Sequence, residues 1–186
     1  PTNSTVALVG ESGSGKSVTA QSLLGLTPRP PGDVSSGSIR IGDRDVTRLP
    51  PRERDVAMVF QDYALYPHLT ARENIALGLQ LRRVASAEIA RRVRWAVDLL
   101  GLGEVLDRRP KDMSGGQRQR VGIARALACK PKFIVCDEPI SALDVSIQAQ
   151  IINLMQDLQE EFGLSYLFVA HDLSVVRHIS NRIAVM

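Results

Sequence analysis

Short, continuous apolar runs are the most regular feature of this sequence. They occupy residues 6–9, 56–60, 133–136 and 166–170, and a further strand is predicted to begin over 182–186. Such runs are typical of strands that are buried on both faces of a sheet. Amphipathic segments with helical spacing lie between them, most clearly at 146–162. The alternation of strands and helices predicts an α/β fold with a mainly parallel sheet flanked by helices.

The middle of the chain follows a different pattern, because no strong strand signal occurs between about residues 70 and 128. The helices predicted there cover about 70–82, 86–100 and 116–129. Thr70 and Glu73 have the spacing of a capping box, which fixes the start of the first of them. We therefore expect an inserted α-helical subdomain, residues 62–128, within a core formed by residues 1–61 and 129–186.

The chain of 186 residues is long enough for one domain with a sizeable core, and its charge and composition narrow the possible partners. The net charge of +3 is mild and aromatic residues make up 4%, so we expect no nucleic-acid partner. Cys129 and Cys136 lack metal-ligand spacing, which favours a reduced, intracellular chain. No apolar run approaches the length of a membrane span. Because the chain starts at Pro1 and stops at Met186 inside an apolar run, we expect a fragment of a longer protein.

A glycine-rich segment, residues 10–17, follows the first predicted strand and precedes a helix predicted over 16–26. It fits the phosphate-loop pattern G-x-x-x-x-G-K-[ST], in which backbone N–H groups and the helix start surround an anion. Lys16 is predicted to reach the outer phosphates, and the Ser17 hydroxyl to bind Mg²⁺. An ordinary glycine-rich turn would not need all of these features, so the segment predicts a nucleoside triphosphate site. The residues predicted to hold the nucleotide here are Gly10, Ser12, Gly13, Ser14, Gly15, Lys16, Ser17 and Val18.

Two adjacent carboxylates, Asp137 and Glu138, follow the apolar run 133–136, at the end of the strand where ligands bind in open α/β sheets. Neighbouring residues of a strand point in opposite directions, so the two acids cannot have the same role. We expect Asp137 in the Mg²⁺ shell and Glu138 beside the attacking water. The alternative is a solvent-exposed acidic strand end.

A second helix start, Ser114-Gly-Gly-Gln117, also fits a capping box. A cap alone would not need two glycines in the first turn, where each costs about 0.5–1 kcal/mol relative to alanine. Close approach of an anion to the backbone explains them better, which predicts a second phosphate-binding helix start. Whether one nucleotide could occupy both starts within one chain is left open by the sequence.

The sequence resembles the nucleotide-binding domain of an ABC transporter. The motifs that carry the resemblance occur in this order: the phosphate loop, Gln61, the Ser114 motif, Asp137-Glu138, the segment Ser141-Ala-Leu-Asp144 and His171. The resemblance extends over nearly the whole chain. It implies a P-loop NTPase fold and a head-to-tail dimer. Each ATP would then lie between the phosphate loop of one subunit and the Ser114 motif of the other.

The resemblance also implies individual roles. Glu138 would be the general base, while Gln61 would sense Mg²⁺ and the water and His171 would contact the γ-phosphate. Asp144 would cross the dimer interface. The residues that would meet the partner's nucleotide are Ser114, Gly115, Gly116 and Gln117. The implied Mg²⁺ ligands are Ser17, Gln61 and Asp137.

Different parts of the chain resemble different ABC proteins. Segments 7–19, 136–150 and 165–186 resemble the ATPases of bacterial oligopeptide and dipeptide importers, whereas 59–70 and the helices after it resemble those of sugar importers. The class of solute is therefore open between peptide and sugar, and a natural mosaic or a recombinant gene would both give this pattern.

An importer ATPase implies ATP hydrolysis that powers solute import, and a peripheral location at the cytoplasmic face of the inner membrane. Its partners would be transmembrane permease subunits and a second copy of itself or a paralogous ATPase subunit. The alternative is a soluble ABC-type ATPase that acts on nucleic-acid or ribosome complexes. Such proteins usually fuse two ATPase domains or insert a coiled coil, and residues 62–113 are too short for one. Glu138 argues against a module that binds ATP without hydrolysing it.

Overall fold

A computed structural model of the chain describes residues 3–11, 13–27 and 36–186, so Ser12 lies outside the described residues. The strands are β1 (Thr5–Val9), β2 (Arg40–Ile41), β3 (Arg44–Asp45), β4 (Val56–Val59), β5 (Phe133–Asp137), β6 (Ser165–Ala170) and β7 (Arg182–Val185). The α-helices are α1 (Lys16–Leu24), α2 (Ala71–Leu81), α3 (Ser86–Leu100), α4 (Gly115–Ala128), α5 (Val145–Phe162) and α6 (Leu173–Ile179). Short 3₁₀ helices cover Pro51–Glu53, Gly103–Val105 and Pro110–Asp112. Among the described helices, none is both long and apolar enough to cross a membrane.

The main sheet has the strand order β4-β5-β6-β1-β7, and all of its pairs are parallel. Its register places Val9 beside Ala170 and Asp137 beside Val169. The carboxyl ends of β1, β5 and β6 therefore meet at one edge of the sheet. The predicted α/β fold with a parallel sheet is confirmed, and β2 and β3 form a separate antiparallel hairpin.

Helices cover both faces of the sheet because successive residues of its strands face opposite sides. Ala7 and Val9 of β1 join an apolar cluster that also contains buried residues of α4, α5 and α6. Leu8, between them, joins a second cluster with Ala20 and Leu24 of α1. Burial on both sides explains why the strands are continuous apolar runs in the sequence.

Helices α2, α3 and α4 pack against one another, and α4 also packs against β4 and α5. The predicted capping box at the start of α2 is present: Thr70 Oγ1 accepts from the Glu73 backbone N–H at 3.3 Å, and Glu73 Oε2 accepts from the Thr70 N–H at 2.7 Å. Buried residues of all three helices belong to the same apolar cluster as one face of the sheet. The division into a core and an inserted subdomain at residues 62–128 remains a prediction.

A buried arginine that sequence reasoning did not single out fixes the end of α1. Arg54 is 3% exposed, and its guanidinium donates to the carbonyls of Ser22 and Leu23 at 2.8 Å and of Thr47 at 3.1 Å. Gly25 has φ 71°, and a Cβ there would lie 2.7 Å from Arg54 Cζ. The helix that carries the phosphate loop is thereby tied to the segment after the hairpin.

Candidate nucleotide-binding site

The loop between β1 and α1 has the backbone geometry that the phosphate-loop pattern requires. Gly13 and Gly15 have φ values of 85° and 97°, which favour glycine. Gly15 is the N-cap of α1 and makes no side-chain cap hydrogen bond, so the first N–H groups of the helix can bind an external acceptor. A Cβ on Gly10 would lie 2.5 Å from the Met186 carbonyl oxygen, so the end of β7 also requires a glycine there.

Polar groups of the same loop lie close to the helix start. Lys16 is 7% exposed, and its Nζ donates to the carbonyls of Gly10 and Glu11 at 2.8 and 2.7 Å. The Ser14 hydroxyl is buried and has no hydrogen-bond partner among the described residues. A buried ammonium and an orphaned hydroxyl beside a helix start suit a phosphate group. Val18 is in the first turn of α1, and its side chain is exposed.

Ser17 and Asp137 join the phosphate loop to the end of β5. The Ser17 hydroxyl donates to Asp137 Oδ1 at 3.2 Å. Burial raises the pKa of the Asp137 carboxyl, and the hydrogen bond from Ser17 partly opposes this shift. A hydroxyl and a carboxylate are hard oxygen ligands of the type that Mg²⁺ prefers, so this pair fits the predicted metal.

Glu138 follows the last residue of β5 and lies in a separate group from Asp137. Its Oε2 lies 3.3 Å from Gln61 Nε2, which donates to it, and 3.2 Å from His171 Nδ1. Glu138 has φ 46°, and its backbone N–H donates to the carbonyl of Val169. The structure therefore brings together the three residues that the sequence predicted as catalytic.

The start of α4 forms the capping box that the sequence predicted. Ser114 Oγ accepts from the Gln117 backbone N–H at 3.2 Å, and Gln117 Oε1 accepts from the Ser114 N–H at 2.9 Å. Ser114 is exposed. Among the described residues, no hydrogen bond links Ser114 or Gln117 to the phosphate loop. This chain therefore does not join its two helix starts into one site by hydrogen bonding.

Comparison with known proteins identifies this arrangement. The family profile described as ABC transporter matches residues 1–141, about three quarters of the chain. The chain belongs to the ABC transporter family. It resembles the solved dimeric, post-hydrolysis structure of the ATP-binding cassette MJ0796 bound to ADP and Pi. The match has a TM-score of 0.81 and 31% identity, and it covers 99% of this chain and 81% of that one.

Two curated relatives of this ABC family protein have names that give different solutes. It is 50% identical to the oligopeptide transport ATP-binding protein OppF of Bacillus subtilis, over 98% of this chain and 62% of that protein. It is 45% identical to the diacetylchitobiose uptake system ATP-binding protein MsiK of Streptomyces coelicolor, over 97% of this chain and 47% of that protein. The chain thus spans about half to three fifths of these relatives. The predicted family, its P-loop fold and its mixed likeness to peptide and sugar importers are confirmed.

The paired glycines of the ABC family motif have a packing reason that sequence reasoning missed. A Cβ on Gly115 would lie 3.2 Å from Leu143 Cδ2 and 3.3 Å from Tyr63 Oη. One on Gly116 would lie 3.0 Å from Ile147 Cγ2. The start of α4 thus packs closely against the start of α5 and the segment after Gln61. Close approach of an anion is therefore not needed to explain both glycines.

Asp144 is exposed at the N-cap of α5 and makes no side-chain cap hydrogen bond. Its carbonyl accepts from the N–H groups of Ile147 and Gln148, each at 2.9 Å. Within the described part of the chain, the Asp144 carboxylate therefore caps no helix and makes no hydrogen bond.

Arg125 of α4 is a further site-related residue that the sequence pattern did not reveal. Its guanidinium donates to the carbonyls of Ala64 at 2.6 Å and Tyr63 at 3.0 Å. Both acceptor residues have positive φ, 43° and 64°, which is unfavourable for non-glycine residues. Arg125 thereby holds a strained turn directly after Gln61. Its partners are backbone carbonyls, which leave no side-chain pattern in the sequence.

Proposed function

We propose that this chain is the ATP-binding and ATP-hydrolysing part of an ABC importer subunit. The observation that carries the proposal is the meeting of three groups at the carboxyl edge of the sheet. These groups are the phosphate loop with Lys16, the pair Ser17–Asp137, and Glu138 with Gln61 and His171. Binding, metal and base groups at one edge are what phosphoryl transfer to water requires.

The phosphates would lie at the start of α1, where Lys16 exchanges its bonds to the loop carbonyls for bonds to phosphate oxygens. Ser17, Asp137 and Gln61 would hold Mg²⁺. This ion, when bound, neutralises the charge that develops on the phosphate oxygens.

Glu138 would act on the attacking water, accepting its proton at Oε2. Gln61 and His171 already lie within hydrogen-bond distance of that oxygen, so they orient the carboxylate and the water near it. The carboxylate is largely buried, with 21% of its side chain exposed, which limits its motion.

The Ser114 helix start would complete the site from a second subunit. In the proposed head-to-tail pair, Ser114, Gly115, Gly116 and Gln117 approach the γ-phosphate on the partner's loop, and Asp144 lies at the interface. The exposure of Ser114 and the lack of a hydrogen bond to its own phosphate loop support this arrangement. The dimeric state of the MJ0796 relative supports it as well.

The remaining partners follow from the same proposal. The names of the OppF and MsiK relatives support an importer for peptides or sugars, with permease subunits in the membrane and this chain at its cytoplasmic face. Residues 62–128 would form the helical subdomain beside the permease. The soluble ATPase of nucleic-acid complexes is the weaker candidate, since OppF and MsiK are named as ATP-binding proteins of oligopeptide transport and of diacetylchitobiose uptake.

The direct test of nucleotide binding is Lys16→Ala, measured by titration with a fluorescent ATP analogue. We expect a large loss of affinity, because the ammonium is the one buried cation of the loop that can reach phosphate oxygens. Lys111→Ala is the matched control, an exposed lysine outside the phosphate loop. Equal affinity of the two variants for the analogue would refute the proposed site.

A further inference from the structure

A cavity of about 480 Å³ opens at the edge of the sheet opposite to the nucleotide site. It lies between α3, the turn from α4 to β5, and the turn from α5 to β6. These turns enter β5 and β6 at their amino ends, whereas Asp137 and His171 lie at the carboxyl ends of the same strands. The volume falls within the range of roughly 300–1,000 Å³ that is usual for small-molecule sites.

The walls of the cavity are mainly apolar and include two aromatic rings. Trp95 of α3 and Phe162 at the end of α5 meet edge to face, with ring centroids 5.4 Å apart and planes at 86°. Phe162 is 37% exposed, so its ring remains accessible from the cavity. Such a pair offers two apolar ring surfaces, set nearly at right angles, to a ligand that carries an aromatic or aliphatic body.

The rim is cationic. Arg91, Arg92, Lys130 and Lys132 line the cavity, and no acidic residue is among its described lining residues. Glu88, outside the lining, binds both arginines, at 2.7 Å from Arg91 Nε and 2.6 Å from Arg92 Nε, and these bonds lower its pKa to about 2. One carboxylate thus offsets part of four positive charges.

The two lysines have no such partner. Cations often bind the carboxyl ends of helices, and Arg92 does so through the Ala128 carbonyl at 3.5 Å. Neither Lys130 Nζ nor Lys132 Nζ makes a hydrogen bond to a protein atom within the described residues. They flank the buried Pro131, and the backbone of Lys130 has φ 51°. The turn therefore holds two unpaired ammonium groups at the mouth of an apolar cavity.

We propose that this cavity binds a small organic anion with an aromatic or aliphatic body. Its acidic group, a carboxylate, sulfonate or phosphate, binds Lys130 and Lys132, and its body packs on Trp95 and Phe162. The positive rim favours negative charge, and the aromatic wall adds contact area only for ligands that have an apolar part. This site does not depend on the proposed function of the nucleotide site.

Trp95 is the only tryptophan of the chain, so its fluorescence reports directly on the cavity. The probe is anilinonaphthalene sulfonate, an aromatic anion. We expect saturable binding of one probe per chain, energy transfer from Trp95 to the probe, and displacement of the probe by dodecanoate. The double variant Lys130→Glu/Lys132→Glu should weaken probe binding about tenfold or more, because it reverses both charges that meet the acidic group.

The matched control is Arg109→Glu/Lys111→Glu, which makes the same charge change at two exposed residues away from the cavity. It should leave probe affinity near that of the unchanged chain. Phe162→Ala provides a second variant without a charge change and should also weaken binding. Equal affinities in the two charge variants, absence of energy transfer from Trp95, or equal displacement by neutral dodecanol would each overturn the proposal. Displacement by inorganic phosphate alone would overturn it too, because the site would then hold only a simple ion.

Discussion

The starts of α1 and α4 are both glycine-rich, yet their N-terminal N–H groups have different hydrogen-bond partners. At α1 no side chain caps the helix, and Lys16 lies buried beside it. At α4 the capping box of Ser114 and Gln117 already satisfies two of the groups at the helix start. The start of α1 therefore leaves its first N–H groups free to bind an anion, whereas the start of α4 is already capped by its own side chains.

The surroundings of the two helix starts differ in the same way. Near α1 lie the Ser17–Asp137 pair and, at the same sheet edge, Glu138 with its partners. The glycines of α4 instead lie close to apolar groups such as Leu143 Cδ2 and Ile147 Cγ2. The polar candidate site residues are thus concentrated near α1, whereas the start of α4 packs against apolar side chains. In the proposed head-to-tail pair, one chain therefore carries two unequal parts of a site.

The largest effect is expected when the proposed general base near α1 is removed. Glu138→Gln should keep ATP affinity but slow hydrolysis by about 10²–10⁴-fold, the usual contribution of a positioned base. The measurement is phosphate release with Mg-ATP in excess. Glu161→Gln, an exposed glutamate of α5, is the control and should hydrolyse ATP normally. Near-normal turnover of Glu138→Gln would exclude its role as the base.

The second prediction concerns a substitution at the start of α4 alone. Ser114→Arg should leave ATP affinity of the single chain unchanged, because Ser114 makes no hydrogen bond to the loop. Turnover should fall roughly 10²-fold, because the substitution removes the Ser114 hydroxyl as a donor and places a bulky side chain where the partner's phosphate loop must approach. Phosphate release and ATP titration on the same sample measure both. Unchanged turnover would show that the two starts do not share a nucleotide.

The third prediction concerns the link between the two regions, Arg125. Arg125→Met leaves the carbonyls of Tyr63 and Ala64 without their donor, so the turn after Gln61 should relax. We expect stability to fall by about 1–3 kcal/mol and turnover to fall while ATP affinity stays constant. Arg125→Lys should restore part of both, since an ammonium can still donate to one carbonyl. A loss of stability without any change in turnover would make Arg125 structural only.

The smallest effect is a pH-dependent one at Asp137. Burial raises the pKa of this carboxyl above its ordinary 3.8, so the charged form is disfavoured in the folded chain. The associated stability is therefore present at low pH and is lost as pH rises through the raised pKa. Without nucleotide, Asp137→Asn should melt at a higher temperature than the unchanged chain at pH 7. The difference should shrink as the pH falls toward 3.8. A constant difference across this range would contradict the assignment to burial.

Sequence reasoning succeeded where the signal is local. The bounds of α3 follow from its apolar spacing, and the start of α2 follows from the pair Thr70 and Glu73. It also grouped Gln61, Glu138 and His171 in one site. This grouping came from the family resemblance, because residues so far apart in the chain give no local signal that they lie close together.

It failed where contacts are long-range and involve backbone atoms. The carbonyls that bind Arg54 and Arg125 lie as many as 32 and 62 residues away, and no side-chain pattern marks them. The packing of the Ile147 side chain against Gly116 is likewise a contact between residues far apart in the chain. Such contacts depend on how elements meet in space, which periodicity along the chain does not encode.

The most direct test of the two-part site is the solution mass of Glu138→Gln, measured by light scattering with and without Mg-ATP. We expect a monomer without nucleotide and a dimer with it, because slow hydrolysis preserves the ATP shared between the two helix starts. Adding Ser114→Arg to the same chain should abolish the dimer while ATP remains bound. A Glu138→Gln chain that binds ATP but stays monomeric would contradict the claim that the second helix start completes the site of a partner.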